Sequence, residues 1–474
     1  MFETFIGLEI HIQLITQTKI FCGCRNSFGD PPNTNVCPVC MGYPGVLPVL
    51  NEEAVRKSYL MCLALNCTLS EKAVFDRKNY FYPDLPKNYQ ISQFEHPFGI
   101  NGYVETTLPD GQAKRIRIHE AHLEEDAGKM IHEGAVSLCD FNRTGTPLLE
   151  IVTEPDFKSG EEVESFLQDF RRMIRYLGVS DGNMEEGSMR CDANISINYP
   201  GKGLGRKVEI KNLNSSRHVK LAIQHEEIRQ AKMIRSGETI IQETRLWNEE
   251  KKRTESMRSK EDANDYRYFP EPDLPPFIPT ASFIDEIREN LVELPHLRRK
   301  RFITEYNLPS ETAEFLTDEK GRADFYESVC KEGTDPQTAA SWVKGDVAKV
   351  LNREKMDITS SPLTAERLVS LLKILDEGKI NGQTAKKVLD MIITENRDPV
   401  SIITEHSLEQ LDNSDELSSI IDSVLAQSSA ALEQIKSGDM KPVGFLIGQV
   451  MKLSGGKADP KKTKEMIMEK ISAL

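Results

Sequence analysis

The chain is 474 residues long, enough for about two to four domains, because a single core stops growing well below that length. With 39% hydrophobic and 28% charged residues, no apolar run of membrane-spanning length and no basic lead-in at the N-terminus, it reads as a soluble globular protein and not as one with a membrane span or a secretory signal. A cytoplasmic protein is expected, and the formal charge of -14 leaves any contact with nucleic acid to local basic patches.

"GLEIHIQL" (7–14) predicts the first strand: Leu8, Ile10, Ile12 and Leu14 fall on one face, Glu9, His11 and Gln13 on the other. Next, Cys22, Cys24, Cys37 and Cys40 crowd together while the other five cysteines are scattered. A Cys-Gly-Cys, a spacer rich in turn formers and a Cys-Pro-Val-Cys knuckle suit four thiolates around a structural Zn²⁺. Four free buried thiols are the alternative. "FDRKNYFYPDLPKNYQISQ" (75–93) sets Arg77, Lys78 and Lys87 among Tyr80, Phe81, Tyr82 and Tyr89, either to hold phosphates and stack on a base or to pack on the core.

Further along, alternation recurs at 115–119, in "HEAHLEEDAGK" (119–129), in "GTPLLEIVTEPD" (145–156), in "CDANISIN" (191–198) and in "RKVEIKN" (206–212). Helices are expected at 161–178, ending at Gly178, and at 215–237, ending at Gly237. The segment 244–273 carries seven Arg or Lys around Trp247 and Tyr266 and reads either as a nucleic-acid contact or as a solvated charged helix. Five prolines between 270 and 279 then close or leave the first domain. Almost everything after them has helical spacing, such as Leu368, Leu371, Leu372 and Leu375, with a break near 395–401.

The strands share one peculiarity. Lone polar or acidic groups (Glu9, Glu124, Glu150, Asp192, Glu209) alternate with apolar neighbours, joined by His11. Any one strand is explained by a wet sheet face. Gathered on one floor, the carboxylates would raise each other's pKa unless a cation sat among them, as in sites where Mg²⁺ holds ATP. His11 is less usual on Mg²⁺; it suits Mn²⁺ as well, or acts through water. Cys191 falls on the apolar face of its strand and reads as core, not as a nucleophile.

"GLEIH", "DRKNYFYPDLPKNYQISQ", "HLEEDAGK", "EEGSMRCDANIS", "EIKNLNS" and "SMRSKEDANDYRYFPEPDLPP" resemble the B subunit of the aspartyl/glutamyl-tRNA amidotransferase. "GDVAKVLN", "LDEGKINGQTAKKV" and "GFLIGQVMKLSGGKADP" extend the resemblance to the end of the chain. "ITEHSLEQL" (403–411) departs from it locally, where a Gly before the Leu is more usual. The related archaeal E subunit carries an inserted domain, which the chain does not show between 210 and 330.

The resemblance implies an α+β fold: a cradle domain with a mainly antiparallel sheet (1–290), an all-α helical domain (291–405) and an all-α YqeY-like tail (406–474). It implies a ligase reaction in which ATP phosphorylates the side-chain carboxylate of Glu-tRNA(Gln) or Asp-tRNA(Asn), and ammonia displaces the phosphate. By position, Glu9, His11, Glu124 and Glu150 would hold Mg²⁺. Lys78 and Tyr80 would bind ATP, and Asp192, Glu209 and Arg190 would complete the pocket. The chain has no Ser-Ser-Lys amidase motif, in keeping with a heterotrimer in which an amidase A subunit supplies ammonia and a small C subunit steadies the pair. The tail, with Lys441, Lys452, Lys457, Lys461, Lys462, Lys464 and Lys470 against three acids, would grip tRNA phosphates. Its "SGGK" is not a phosphate loop, since Met451 stands where that pattern needs Gly.

Two other classes compete. A zinc-stabilised RNA binder has no use for carboxylates on one floor, and a stand-alone metallohydrolase has no use for a basic tail.

Overall fold

The structure, a computed structural model, describes residues 2–108, 110–259, 266–409, 414–436, 440–455 and 457–472. Part of the basic stretch at 244–273, Gly456 of "SGGK" and the last residues of 403–411 therefore lie outside the described residues. The chain forms two compact units, 1–297 and 298–474.

The first unit is built on strands and a few helices. In chain order these are β1 (Glu3–Gln13), α1 (Glu52–Ala64), β2 (Thr68–Leu69), β3 (Asp76–Asn79), β4 (Tyr89–Ser92), β5 (Gly99–Thr107) and β6 (Ala113–Glu125). There follow β7 (Lys129–Glu133), β8 (Val136–Asp140), β9 (Pro147–Thr153), α2 (Gly160–Tyr176), β10 (Met189–Asn198) and β11 (Val208–Lys211). Last come α3 (Ser216–Arg235), β12 (Glu243–Asn248), β13 (Arg253–Ser259), β14 (Phe269–Pro270) and α4 (Ala281–Glu289). Nine of the strands make one sheet in the order β13-β12-β11-β10-β1-β9-β6-β5-β2, antiparallel except for the β11–β12 pair. The first strand of the sequence thus lies in the middle of the sheet.

Alternation in β1 puts Ile6, Leu8, Ile10 and Ile12 fully inside. They share a core with Phe166, Phe170 and Ile174 of α2 and Val219 and Ile223 of α3, whose spacing gives each helix one apolar stripe. Ser159 and Ser215 cap the two helices through their hydroxyls, and Gly178 and Gly237 end them in the left-handed region. Cys191 is buried in this core. The other sheet face is left free of that core.

One expectation is corrected. The charged stretch from 244 is a hairpin, β12–β13, and not a solvated helix. Parallel pairing of β12 with β11 and burial of Trp247 at 3% exposure against the core override the helix-forming Glu and Lys of its turn.

The second unit is helical. One hydrophobic cluster runs from Phe302 to Ile403 and a separate one from Leu417 to Ile471. A π turn, Val343–Val347, interrupts the helical segments around "GDVAKVLN".

Candidate active site

Strand pairing decides which polar side chains meet on the free face. β1 runs between β10 and β9, and the register sets Glu9 opposite Asp192, and His11 opposite both Arg190 and Glu150. One strand further on either side, His122 of β6 stands opposite Glu150, and Glu209 of β11 opposite Asn194. Opposed residues of neighbouring strands share a face, so five strands contribute to one floor.

The floor has two parts. In the first, His11 Nε2 lies 3.1 Å and His122 Nε2 3.2 Å from Glu150 Oε2, while His122 Nε2 is 3.8 Å from Glu124 Oε2. Ser92 Oγ donates to Glu124 at 3.2 Å. Ligand atoms of His11, Glu124 and Glu150 all come within 4.8 Å of one another, a donor set fit for a divalent cation. In the second part, Glu9, Asp192 and Glu209 converge just as closely. Lys211 Nζ sits among them, 2.7 Å from Asp192 and 3.2 Å from Glu209, and Asn194 Nδ2 donates to Glu9 at 2.8 Å.

The expected ligand set is therefore divided. His11, Glu124 and Glu150 come together, whereas Glu9 belongs to the neighbouring group with Asp192 and Glu209. The reason is register: Glu9 is two residues from His11, and its cross-strand partner on the β10 side is a carboxylate.

Electrostatics separates the two parts as well. Burial works against charge on His11, but Glu150 outweighs it and raises the imidazole. His122 is raised well above its ordinary value by the same contest, with Glu150 first and Glu120 and Glu124 adding. Burial would lift Glu150, yet the two imidazoles hold it well below the usual carboxylate range. Glu9 goes the other way: burial, then the charge of Glu150, push it up. In the first part the two imidazoles offset carboxylate charge where a bound cation could take over that task, and in the second Lys211 offsets only part of it.

Around the floor, the three cations of 75–93 have different fates. Arg77 is held by Glu271 through two hydrogen bonds of 2.6 and 2.8 Å, and lies over the Tyr89 ring. Lys87 pairs with buried Glu125. Of the three, Lys78 faces the acids: burial opposes its charge, but Glu124, Tyr268 and Glu150 raise its pKa. Its Nζ lies 4.9 Å from the centre of the Tyr266 ring, which meets Tyr80 on one side and Tyr268 on the other. Tyr268 stacks on Phe94 at 4.4 Å with planes 9° apart, and Phe94 is 56% exposed. Tyr80 Oη donates to Gln90 at 3.3 Å. Arg190, expected in the pocket, is drawn to Asp126 at 2.8 Å, which Gln13 also holds.

Behind Lys87 lies the cysteine cluster. Sulfurs of Cys22, Cys24, Cys37 and Cys40 gather within 4.8 Å of one another, a set suited to one tetrahedral ion. A hydrogen bond from Cys22 brings the Cys40 thiol down to about 5. Gly42, just past the knuckle, approaches so closely that a Cβ there would lie 2.5 Å from Lys87 Cγ.

Comparison with known proteins agrees in both units. A model of the GatB/GatE catalytic domain matches residues 4–285, and one of the GatB domain matches residues 324–471. The B subunit of the aspartyl/glutamyl-tRNA(Asn/Gln) amidotransferase of Thermoanaerobacter sp. is 48% identical over 473 residues, covering 99% of each chain. The chain belongs to the family of amidotransferase B subunits. The proteins of the same name from Carboxydothermus hydrogenoformans and Thermodesulfovibrio yellowstonii are 46% and 47% identical over 479 and 470 residues. Each alignment spans at least 99% of both chains.

Within this family member, sequence reasoning left His122 without a role. The signal was present: His122 alternates with Glu120 and Glu124, so all three share a face. Tyr268 and Phe94 carried no such signal, since both lie outside the alternating strands, one just before β14 and the other just past β4.

Proposed function

We propose that the free face of the sheet is the site where the side-chain carboxylate of Glu-tRNA(Gln) or Asp-tRNA(Asn) is phosphorylated by ATP and then amidated. The relatives' name, a tRNA(Asn/Gln) amidotransferase, supplies the reaction class. The observation that carries the reading is the convergence of His11, Glu124 and Glu150, two of which act on the charge of Lys78.

A carboxylate is a poor acylating agent until phosphorylation gives it a leaving group. Phosphoryl transfer asks the protein for positioning and charge neutralisation more than for covalent chemistry. His11, Glu124 and Glu150 would hold Mg²⁺, with Glu9 beside them, and that ion would neutralise phosphate charge. Lys78 supplies a positive charge that Glu124 and Glu150 stabilise, and the Tyr266 ring beside it meets Tyr80 and Tyr268. Asp192, Glu209 and Lys211 form the adjoining polar floor, and Arg190, fixed by Asp126, borders it. In the second half-reaction ammonia attacks the acyl phosphate and phosphate leaves.

Cys22, Cys24, Cys37 and Cys40 would hold Zn²⁺ as a structural ion. The partners in this reading are an amidase A subunit that releases ammonia, a small C subunit, and the mischarged tRNA, gripped by the lysines of the tail. A cytoplasmic setting goes with translation. No helix among the described residues is long and apolar enough to cross a membrane.

Glu124→Ala, assembled with the partner subunits, should lose tRNA-dependent ATP cleavage and amidation while glutamine hydrolysis persists at least in part. Retained amidation would remove this assignment.

A further inference from the structure

Lys19 has no exposed surface at all. Lysine is almost never fully buried unless paired, because an ammonium taken out of water needs a nearby anion. Among the described residues Lys19 has no carboxylate partner. Its Nζ donates to the carbonyls of Asn35 at 2.6 Å and Phe141 at 3.4 Å, and to Cys40 Sγ at 3.7 Å. Two neutral carbonyls satisfy donors but leave the charge uncompensated.

The surroundings hold the side chain in place. Lys19 N donates to Cys24 O at 2.9 Å, which ties its backbone to the first cysteine pair. Its stem runs past Gly145, where a Cβ would already touch both Lys19 Cδ (3.6 Å) and Cys40 Cβ (3.7 Å). The ammonium is thus led from the Cys24 side to the Cys40 side of the same cluster. Four thiolates around one Zn²⁺ carry a net charge of minus two, and that is the anion Lys19 otherwise lacks.

We propose that Lys19 is the buried counter-cation of a tetrathiolate zinc site, donating to Cys40 and offsetting part of the charge that the four sulfurs bring inside. The role rests on the zinc reading of Cys22, Cys24, Cys37 and Cys40. Groups that hydrogen-bond to metal ligands typically change metal affinity by roughly 10–100-fold when removed.

The test uses the full chain, zinc and a competing chromophoric chelator. Lys19→Met should bind zinc about 10–100-fold more weakly than the parent, and Lys19→Arg, which keeps the charge, should stay within a few-fold. The zinc-stripped chain supplies a second readout. Without zinc the four sulfurs no longer gather their charge around one ion, so Lys19→Met should lower the melting midpoint of the zinc-loaded chain by more than that of the stripped chain. A merely structural lysine would instead lower both midpoints alike and leave zinc affinity unchanged, which overturns the proposal. Failure of Lys19→Met to fold without zinc overturns it too, since most of its destabilisation is expected in the zinc-loaded form. A parent chain that retains no zinc, or retains it after Cys37→Ser and Cys40→Ser together, overturns the zinc reading itself.

Discussion

Glu150 is the residue on which the floor turns. Its Oε2 receives both His11 at 3.1 Å and His122 at 3.2 Å, and it is one of three groups whose donor atoms converge. At that separation, and with an effective dielectric near 20, each carboxylate–imidazolium attraction amounts to roughly 5 kcal/mol before desolvation is counted. Glu150→Gln keeps the shape but removes the charge. Its neutral amide oxygen is a weaker acceptor for the two imidazoles, and its NH₂ brings a donor where a carboxylate oxygen stood. Without that carboxylate the main influence raising both imidazoles is gone. The stability cost therefore stays near 1–3 kcal/mol, the penalty of unmet buried hydrogen bonds, below the 3–5 kcal/mol of stranding a charge. The chemical cost is larger, because one converging donor is lost and two neighbours are released. We expect tRNA-dependent ATP cleavage by the assembled enzyme to fall at least ~100-fold, equivalent to about 2.7 kcal/mol in the barrier. Glutamine hydrolysis should be largely retained, and the far-ultraviolet circular dichroism should match the parent. ATP cleavage within threefold of the parent, by a folded variant, would show that the floor does not serve phosphoryl transfer.

Two predictions concern the scaffold. Gly42 and Gly45 both adopt positive φ, but a Cβ meets Lys87 at the first and nothing within 4 Å at the second. Gly45→Ala should cost roughly 1–2 kcal/mol in urea unfolding, and Gly42→Ala about 1–3 kcal/mol more; equal costs would mean that the knuckle does not press on Lys87. Glu226 is fully buried and bonded to Arg229, Arg245 and Gln230. Burial opposes its ionisation, yet Arg229 and Thr254 hold its pKa below 4.5. Its stabilising effect is therefore complete above the unfolded value and is lost as pH falls through the folded one. Glu226→Gln should cost about 3–5 kcal/mol near neutrality and flatten the acid limb of stability against pH, so parallel curves for parent and variant would contradict it.

Much of the molecule was legible as a pattern. Alternation in "GLEIHIQL" assigned Ile10 and Ile12 to the core and Glu9 and His11 to the opposite face, because a strand has a side-chain period of two. Helical spacing and terminal glycines located α2 and α3, and cysteine spacing located the four-sulfur cluster. Six motifs in order pointed to the family before any side chain had been placed.

What local pattern cannot contain is register. A strand's period tells which face a residue takes but not which residue of another strand stands opposite it. The sheet brings together strands far apart in sequence, so that His11 meets Glu150 while Glu9, two residues earlier, meets Asp192. That pairing turned one expected ligand set into two adjoining groups and drew in His122. It also sorted three similar cations into one that faces the acids, Lys78, and two that brace the frame, Arg77 and Lys87. Lys19 and Glu226 are buried charges held in part by groups far away in sequence, Phe141 for the first and Arg245 and Thr254 for the second. Residue order was enough for the elements, their faces and the kinship. The folded sheet decided the company each charge keeps, because the electrostatic energy of a group depends on distances that no local pattern sets.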